Sequence, residues 1–223
     1  MNTPRTRHQI VSLLINPGVI AVVRGPGPDP IPGLIEALIE GGVLAIEITL
    51  TTPDALLIIR EARARYGTSV LIGVGTVLDV DSARTALDAG AEFVVTPVLR
   101  PEIVPVVHAA DRPVMLGAYS PTEAHKAHEA GADFVKLFPA DTLGPDYVKA
   151  LLAPLPRLRL VPTGGVDPGN AGAFIRAGCS ALGAGSSLVP RQALLGGHWR
   201  QITDLARRFV EEVRRAREDS KPG

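Results

Sequence analysis

The chain has almost no cysteine: Cys179 stands alone among 223 residues. No intrachain disulfide can form, so the fold has to stand on its core. Gly178 and Ser180 flank Cys179 without a Cys-x-x-Cys partner, and it reads as a packing residue. Net charge is missing too, because 23 basic residues balance 23 acidic ones. That balance leaves no electrostatic footprint for nucleic acid or an anionic membrane. No apolar run is long enough to span a bilayer. Residues 1–16 mix Arg5, Arg7 and His8 with a short apolar stretch and lack a signal-peptide cleavage pattern. The expectation is a cytoplasmic protein with neither a nucleic-acid nor a membrane partner.

Metal-binding patterns are scarce as well. His125 and His128 have i, i+3 spacing on an expected helix, but no further histidine or carboxylate cluster completes a site. A solvated helix face accounts for them, and no metal is expected. His8, His108 and His198 fall in or near other helical segments. Neither a Ser-His-Asp arrangement nor a dinucleotide Gly-x-Gly-x-x-Gly occurs in a strand–turn–helix context.

What the chain does have is repetition. Short β-branched runs recur at Val19–Val23, Leu44–Thr49, Val70–Val74, Phe93–Thr96, Val114–Leu116, Phe134–Phe138, Leu158–Val161 and Ala181–Ala184. Most are continuously apolar, as parallel strands covered on both faces require. Helical segments alternate with them: Pro30–Glu40, Pro53–Tyr66, Val80–Ala89, Arg100–Ala109, Pro121–Ala130, Pro145–Leu152 and Pro168–Ala177, then Trp199–Arg217. Several open on proline beside an acid or hydroxyl, as in Thr52-Pro53-Asp54 and Ser120-Pro121-Thr122-Glu123, which is start-of-helix chemistry. Glu40-Gly41-Gly42, Ala89-Gly90-Ala91, Ala130-Gly131-Ala132 and Ala177-Gly178 end helices with glycine. One strand and one helix per repeat exclude a β-propeller and predict an α/β fold, a (β/α)₈ TIM barrel. An open doubly wound sheet is the alternative. Residues 1–223 read as a single barrel domain, with an extra N-terminal helix near Thr3–Leu14 capping its lower end.

Barrel enzymes place their chemistry at the C-terminal ends of the strands. Lys136 lies in the apolar run Asp133-Phe134-Val135-Lys136-Leu137-Phe138-Pro139. Burial disfavours an ammonium, and a neutral amine is a nucleophile toward carbonyls. Glu47 occupies the matching place in Ala45-Ile46-Glu47-Ile48-Thr49, where period-two alternation puts Ala45, Glu47 and Thr49 on one face. A buried ion pair stabilises a fold weakly at best, whereas an amine and a carboxylate in one pocket provide a nucleophile and a proton shuttle. Thr163-Gly164-Gly165 follows the seventh strand and Gly185-Ser186-Ser187 the eighth. Glycines there let backbone N–H groups approach an anion, and barrels commonly hold phosphate at these two loops. Arg24, ending the first strand, can grip a carboxylate or phosphate through two parallel hydrogen bonds.

Seven motifs then carry a family resemblance: Ile20–Arg24, Ile46–Thr49, Ile72–Val77, Val95–Pro97, Val135–Ala140, Val161–Gly165 and Gly185–Val189. In order, across about residues 10–215, they resemble the class I 2-keto-3-deoxy-6-phosphogluconate (KDPG) and 4-hydroxy-2-oxoglutarate (KHG) aldolases. The resemblance implies a cofactor-free, metal-independent, Schiff-base lyase that acts on a phosphorylated 2-keto-3-deoxy sugar acid, commonly as a homotrimer. It makes Lys136 the Schiff-base lysine and Glu47 the general acid/base. Thr76, Pro97 and Thr163 match pyruvate-pocket positions, and Gly164, Gly165, Gly185 and Ser186 match the phosphate loops. Some members carry arginine four residues after the glutamate, where this chain has Thr51; the substrate carboxylate therefore falls to Arg24. Leu116 precedes Gly117 where proline is common. Phe138-Pro139 with Leu143-Gly144-Pro145-Asp146-Tyr147 also resembles the 2-keto-3-deoxy-6-phosphogalactonate branch. Outside this family the alternatives are a phosphosugar isomerase, a thiamine-phosphate-synthase-like barrel, or a phosphate-binding barrel without catalysis.

Overall fold

The computed structural model describes residues 4–220. Its strands are β1 (Val19–Val23), β2 (Ala45–Thr49), β3 (Leu71–Gly75), β4 (Val94–Val95), β5 (Val114–Ala118), β6 (Phe134–Leu137), β7 (Leu160–Pro162) and β8 (Leu182–Ala184). All neighbours pair in parallel, in the order β7-β6-β5-β4-β3-β2-β1-β8. Beyond β7, Thr163 bridges in parallel to Gly183, and Ser180 N–H donates to Leu160 O at 2.9 Å. Those links close the sheet, so the fold is the expected TIM barrel and not an open doubly wound sheet.

The first helices are α1 (Arg7–Ile15), α2 (Ile31–Glu40), α3 (Ala55–Tyr66) and α4 (Val80–Asp88). After a 3-10 turn (Pro101–Ile103) come α5 (Val104–Ala109), α6 (Pro121–Glu129), α7 (Gly144–Leu152) and α8 (Ala171–Arg176). The chain ends in α9 (Arg191–Leu195) and α10 (Trp199–Asp219). Helix α9 has no counterpart in the sequence reading. Helix α8 starts three residues later than expected, because Asp167 Oδ1 accepts the N–H groups of Gly169 (2.7 Å) and Asn170 (3.1 Å) in a turn. At α3, Asp54 adopts φ 56 and caps nothing. Thr52 instead accepts the N–H of Gly25 across the barrel rim at 3.1 Å.

The recurring glycines have one shared cause. After α2, α4, α6 and α8 a 6→1 hydrogen bond returns the chain: Val43→Leu38, Ala91→Ala86, Ala132→Ala127 and Cys179→Phe174. The glycine between takes a positive φ of 86–108° at Gly42, Gly90, Gly131 and Gly178. This Schellman geometry needs a left-handed residue, which only glycine adopts without strain. At the other end of α6, Ser120 and Glu123 form a reciprocal capping box. Hydrogen bonds from the Ser120 side chain and backbone hold the Glu123 carboxyl below the usual carboxylate range.

Alternation along the strands divides the core in two. Outward-facing residues such as Ala21, Val23, Ile46, Ile48 and Leu137 pack against the helices, and the buried Cys179 belongs to this layer. Burial pushes the Cys179 thiol up, as suits an inert packing group. Inward-facing Ile20, Ala45, Leu71, Phe93, Met115, Phe134 and Val161 form a separate cluster with Ile10, Val11 and Leu14 of α1. Helix α1 therefore plugs the lower end of the barrel. The expected helix began near Thr3, which lies outside the described residues; the observed one starts at Arg7 behind a Thr6–Gln9 capping box.

Ionic contacts hold the plug. Arg7 Nε donates to Asp133 Oδ1 at 2.8 Å, and Arg5 and Arg63 converge on the buried Glu92 at 2.9 and 2.6 Å. Arg217 of α10 donates to the carbonyls of Ile15, Pro17 and Ser180, tying the plug to the closing helix. Ile10 is 0% exposed, so Ile10→Ala should destabilise the fold by about 2–5 kcal/mol. Chemical denaturation with an unchanged m-value would show the loss.

Candidate active site

The apolar filling of the barrel stops one layer up. On β2 the inward face continues from Ala45 to Glu47 and Thr49, each only 2% exposed. On β6 it continues from Phe134 to Lys136, which is 5% exposed. Lys136 Nζ lies 3.4 Å from Glu47 Oε1. The two strands are not neighbours, so the contact crosses the barrel interior. Nζ also lies 5.6 Å from the centroid of the Phe138 ring, within cation–π range when the amine is charged.

Room for the carboxylate comes from a missing side chain. A Cβ on Gly75, at the end of β3, would stand 1.8 Å from Glu47 Oε1. Glycine at that position lets Glu47 lean over the neighbouring strand toward Lys136.

Above the pair opens a cavity of about 720 Å³. Thr49 and Phe138, two residues beyond Glu47 and Lys136, form part of its wall. The same wall contains Arg24, Thr163, Gly164, Gly165, Gly185 and Ser186. Six of the ten expected site residues thus share one cavity, with Lys136 and Glu47 one pleat beneath it. Thr76 and Pro97 do not line it. Thr76 directly follows β3 and Pro97 lies two residues past β4, both half-buried, and Thr76 has a left-handed φ of 59°.

Each wall has a local cause. Arg24 Nε donates to Thr51 Oγ1 at 3.1 Å, and Thr51 Oγ1 shares a 2.9 Å hydrogen bond with Thr49 Oγ1. Thr49 in turn donates to Val23 O at 3.2 Å. Thr51 therefore holds the guanidinium beside the β2 loop. Across the cavity, Gly164 and Gly165 take φ values of 88° and 69°. Asn170 Nδ2 donates to Gly165 O at 2.8 Å, and Ser187 Oγ donates to Val166 O at 2.5 Å. These bonds fasten the two glycine loops to each other and to α8.

Thr49, expected at the strand end on one face with Glu47, lines this wall, and so does Arg191, which sequence reasoning did not single out. Thr49 was legible from its alternation with Glu47. Arg191 gave only a weaker signal, a base shortly after the Gly185 loop. Of the two histidines expected on a solvated helix face, His125 is 49% exposed and faces Glu129 at 3.4 Å, whereas His128 is half-buried. Among the described residues, no group of three or more His, Cys, Asp or Glu side chains could hold a metal ion.

The arrangement offers a buried amine, a carboxylate in contact with it, and a rim of guanidiniums and glycine loops. Comparison with known proteins agrees with that chemistry. Residues 10–205 match the family model described as KDPG and KHG aldolase. The chain belongs to this aldolase family. It is 37% identical to 2-dehydro-3-deoxy-6-phosphogalactonate aldolase of Escherichia coli strain K12 over 171 residues, 76% of this chain and 83% of the relative. With 2-dehydro-3-deoxy-phosphogluconate aldolase of Treponema pallidum it shares 36% identity over 83% of this chain and 88% of the relative. Among solved structures, KDPG aldolase from Legionella pneumophila superposes with a TM-score of 0.82 at 28% identity, covering 88% of this chain and 96% of that one. That structure holds pyruvate captured at low pH as a covalent carbinolamine. As an aldolase, the protein is a lyase working on carbon–carbon bonds.

A methyl group at position 75 would meet the Glu47 carboxylate head-on. Gly75→Ala should lower aldol cleavage by about 100-fold through misplacement of that group. A steady-state assay alongside a melting curve checks this; a folded variant with full turnover would contradict it.

Proposed function

We propose that this aldolase is a Schiff-base, metal-independent enzyme that works as one barrel domain over residues 1–223. In this reading it cleaves 2-keto-3-deoxy-6-phosphogluconate to pyruvate and glyceraldehyde 3-phosphate. It also takes 4-hydroxy-2-oxoglutarate to pyruvate and glyoxylate. The observation that carries the reading is the buried 3.4 Å contact between Lys136 and Glu47 beneath a cavity walled by Arg24 and two glycine loops.

The steps follow from those two groups. The free amine of Lys136 attacks the C2 ketone, and loss of water gives an iminium. Glu47, through a water, takes the proton of the C4 hydroxyl. The C3–C4 bond then breaks, its electron pair flows to the iminium nitrogen, and C4 leaves as the aldehyde carbon. Glu47 returns its proton to C3 of the resulting enamine, and hydrolysis releases pyruvate and regenerates Lys136. The acid and base duties fall on one carboxylate because the two proton transfers are sequential and opposite. Arg24 binds the substrate carboxylate, with Thr76, Pro97 and Thr163 around the pyruvate carbons. Gly164, Gly165, Gly185 and Ser186 hold the phosphate, a grip remote from the reacting carbons that orients them. The family resemblance further supports a homotrimer in the cytoplasm; light scattering should give three times the chain mass.

The C4-epimeric substrate, 2-keto-3-deoxy-6-phosphogalactonate, is a second reading with its own support. A phosphogalactonate aldolase is 37% identical to this chain, and Arg24 is held by Thr51, the position where the family resemblance implies arginine in some members. Paired kcat/KM values on the two epimers decide between them.

Borohydride reduction in the presence of pyruvate should leave a covalent adduct on Lys136, mapped by mass spectrometry. Glu47→Gln should keep the adduct but lose turnover by about 100- to 10,000-fold. Absence of an adduct on Lys136 overturns the Schiff-base mechanism.

A further inference from the structure

The cavity wall contains two guanidiniums, and only one has a role so far. Arg191 opens the five-residue α9 and lines the cavity together with Gly164, Gly165, Gly185 and Ser186. Its position follows from the loop before it. Gly185 O accepts the N–H groups of Leu188 and Val189 at 3.0 and 2.9 Å, which curls the chain back before Pro190. Pro190 then fixes the start of α9, and Arg191 emerges beside the two glycine loops.

The two cations of the wall lie in different surroundings. Arg24 follows β1 and is held by Thr51 on the β2 side. Arg191 comes after β8, which pairs with the opposite edge of β1. Arg24 already donates to a hydroxyl. Arg191 is exposed and, among the described residues, has neither a hydrogen-bond nor an ion-pair partner. Asp167, the acid on the cavity wall, has Oδ1 engaged by the N–H groups of Gly169 and Asn170. The glycine-loop side therefore carries a guanidinium with no ion-pair partner among the described residues, in front of backbone groups suited to an anion.

We propose that Arg191 is a specificity-determining residue that reads the terminal phosphate of the substrate. The proposal rests on the aldolase reading above and deepens it. Arg24 and Arg191 bind opposite ends of a molecule that is a carboxylate at one end and a phosphate ester at the other. The neutral backbone donors accept many anions, whereas the added guanidinium rewards the higher charge of a phosphate. A sugar acid ending in a hydroxyl gains nothing from it.

The test measures kcat/KM for a 6-phosphorylated 2-keto-3-deoxy sugar acid and for the same acid without phosphate, in wild type, Arg191→Gln and Arg191→Lys. Arg191→Gln should reduce the preference for the phosphorylated acid by about 10- to 100-fold, mainly through KM. Arg191→Lys should recover part of it, since charge is restored without the planar fork. Inorganic phosphate, a competitive inhibitor of the wild type on this view, should weaken by a similar factor against Arg191→Gln. Borohydride trapping with pyruvate, which carries no phosphate, separates the two levels of the reading. Failure to trap in the wild type overturns the aldolase mechanism itself. Intact trapping with an unchanged substrate preference in Arg191→Gln overturns the role of Arg191 alone.

Discussion

A lysine and a glutamate in contact inside a β-barrel impose conditions on everything around them. Taking two charges out of water costs several kcal/mol each, and their attraction offsets this only when the geometry is good. The lower barrel is therefore closed and apolar, so the pair meets no stray water from below. The neighbouring strand ends in Gly75, which leaves the carboxylate somewhere to go. Above the pair the wall turns polar and opens into a cavity. The apolar floor, the bare strand end and the polar rim all accommodate the same 3.4 Å contact.

Other ionic groups of the molecule are kept apart from it. Asp133, preceding β6, accepts from Arg7 and from the N–H of Val114, and it faces His108 at 3.2 Å. Glu92, preceding β4, holds Arg5 and Arg63. Both acids stand at the N-terminal ends of strands and fasten the plug helix. The division matches barrels generally, where the lower face serves stability and the upper face serves chemistry. A zero net charge thus conceals two distinct ionic groupings, the pairs that fasten the plug helix below and the Lys136–Glu47 contact above.

Most of this was legible in the sequence because the signals were periodic. Continuous apolar runs marked the strands, and the alternation of Ala45, Glu47 and Thr49 assigned them correctly to one inward face. The Ala-Gly-Ala repeat marked real helix ends, each with its 6→1 hydrogen bond. What escaped was set by contacts between segments far apart in the chain. The Thr51 hydroxyl holds Arg24 only because the ends of β1 and β2 are neighbours. Asp54 looked like a cap, yet its backbone is left-handed and Thr52 is committed to Gly25. Helix α9 is too short to show a period, so Arg191 reached the cavity wall unnoticed.

Helix α1 has a bearing on traffic as well as on stability. Ile10, Val11 and Leu14 block the lower end of the barrel, which leaves the upper rim as the route in and out. A blind-ended chamber imposes an order on what leaves it. Under the proposed mechanism, whatever is bonded to Lys136 sits at the dead end, and the fragment cut from it lies nearer the door. On the Schiff-base reading the phosphorylated aldehyde exits first, and the three-carbon acid waits behind it. The plug at the foot of the barrel acts as a one-way queue.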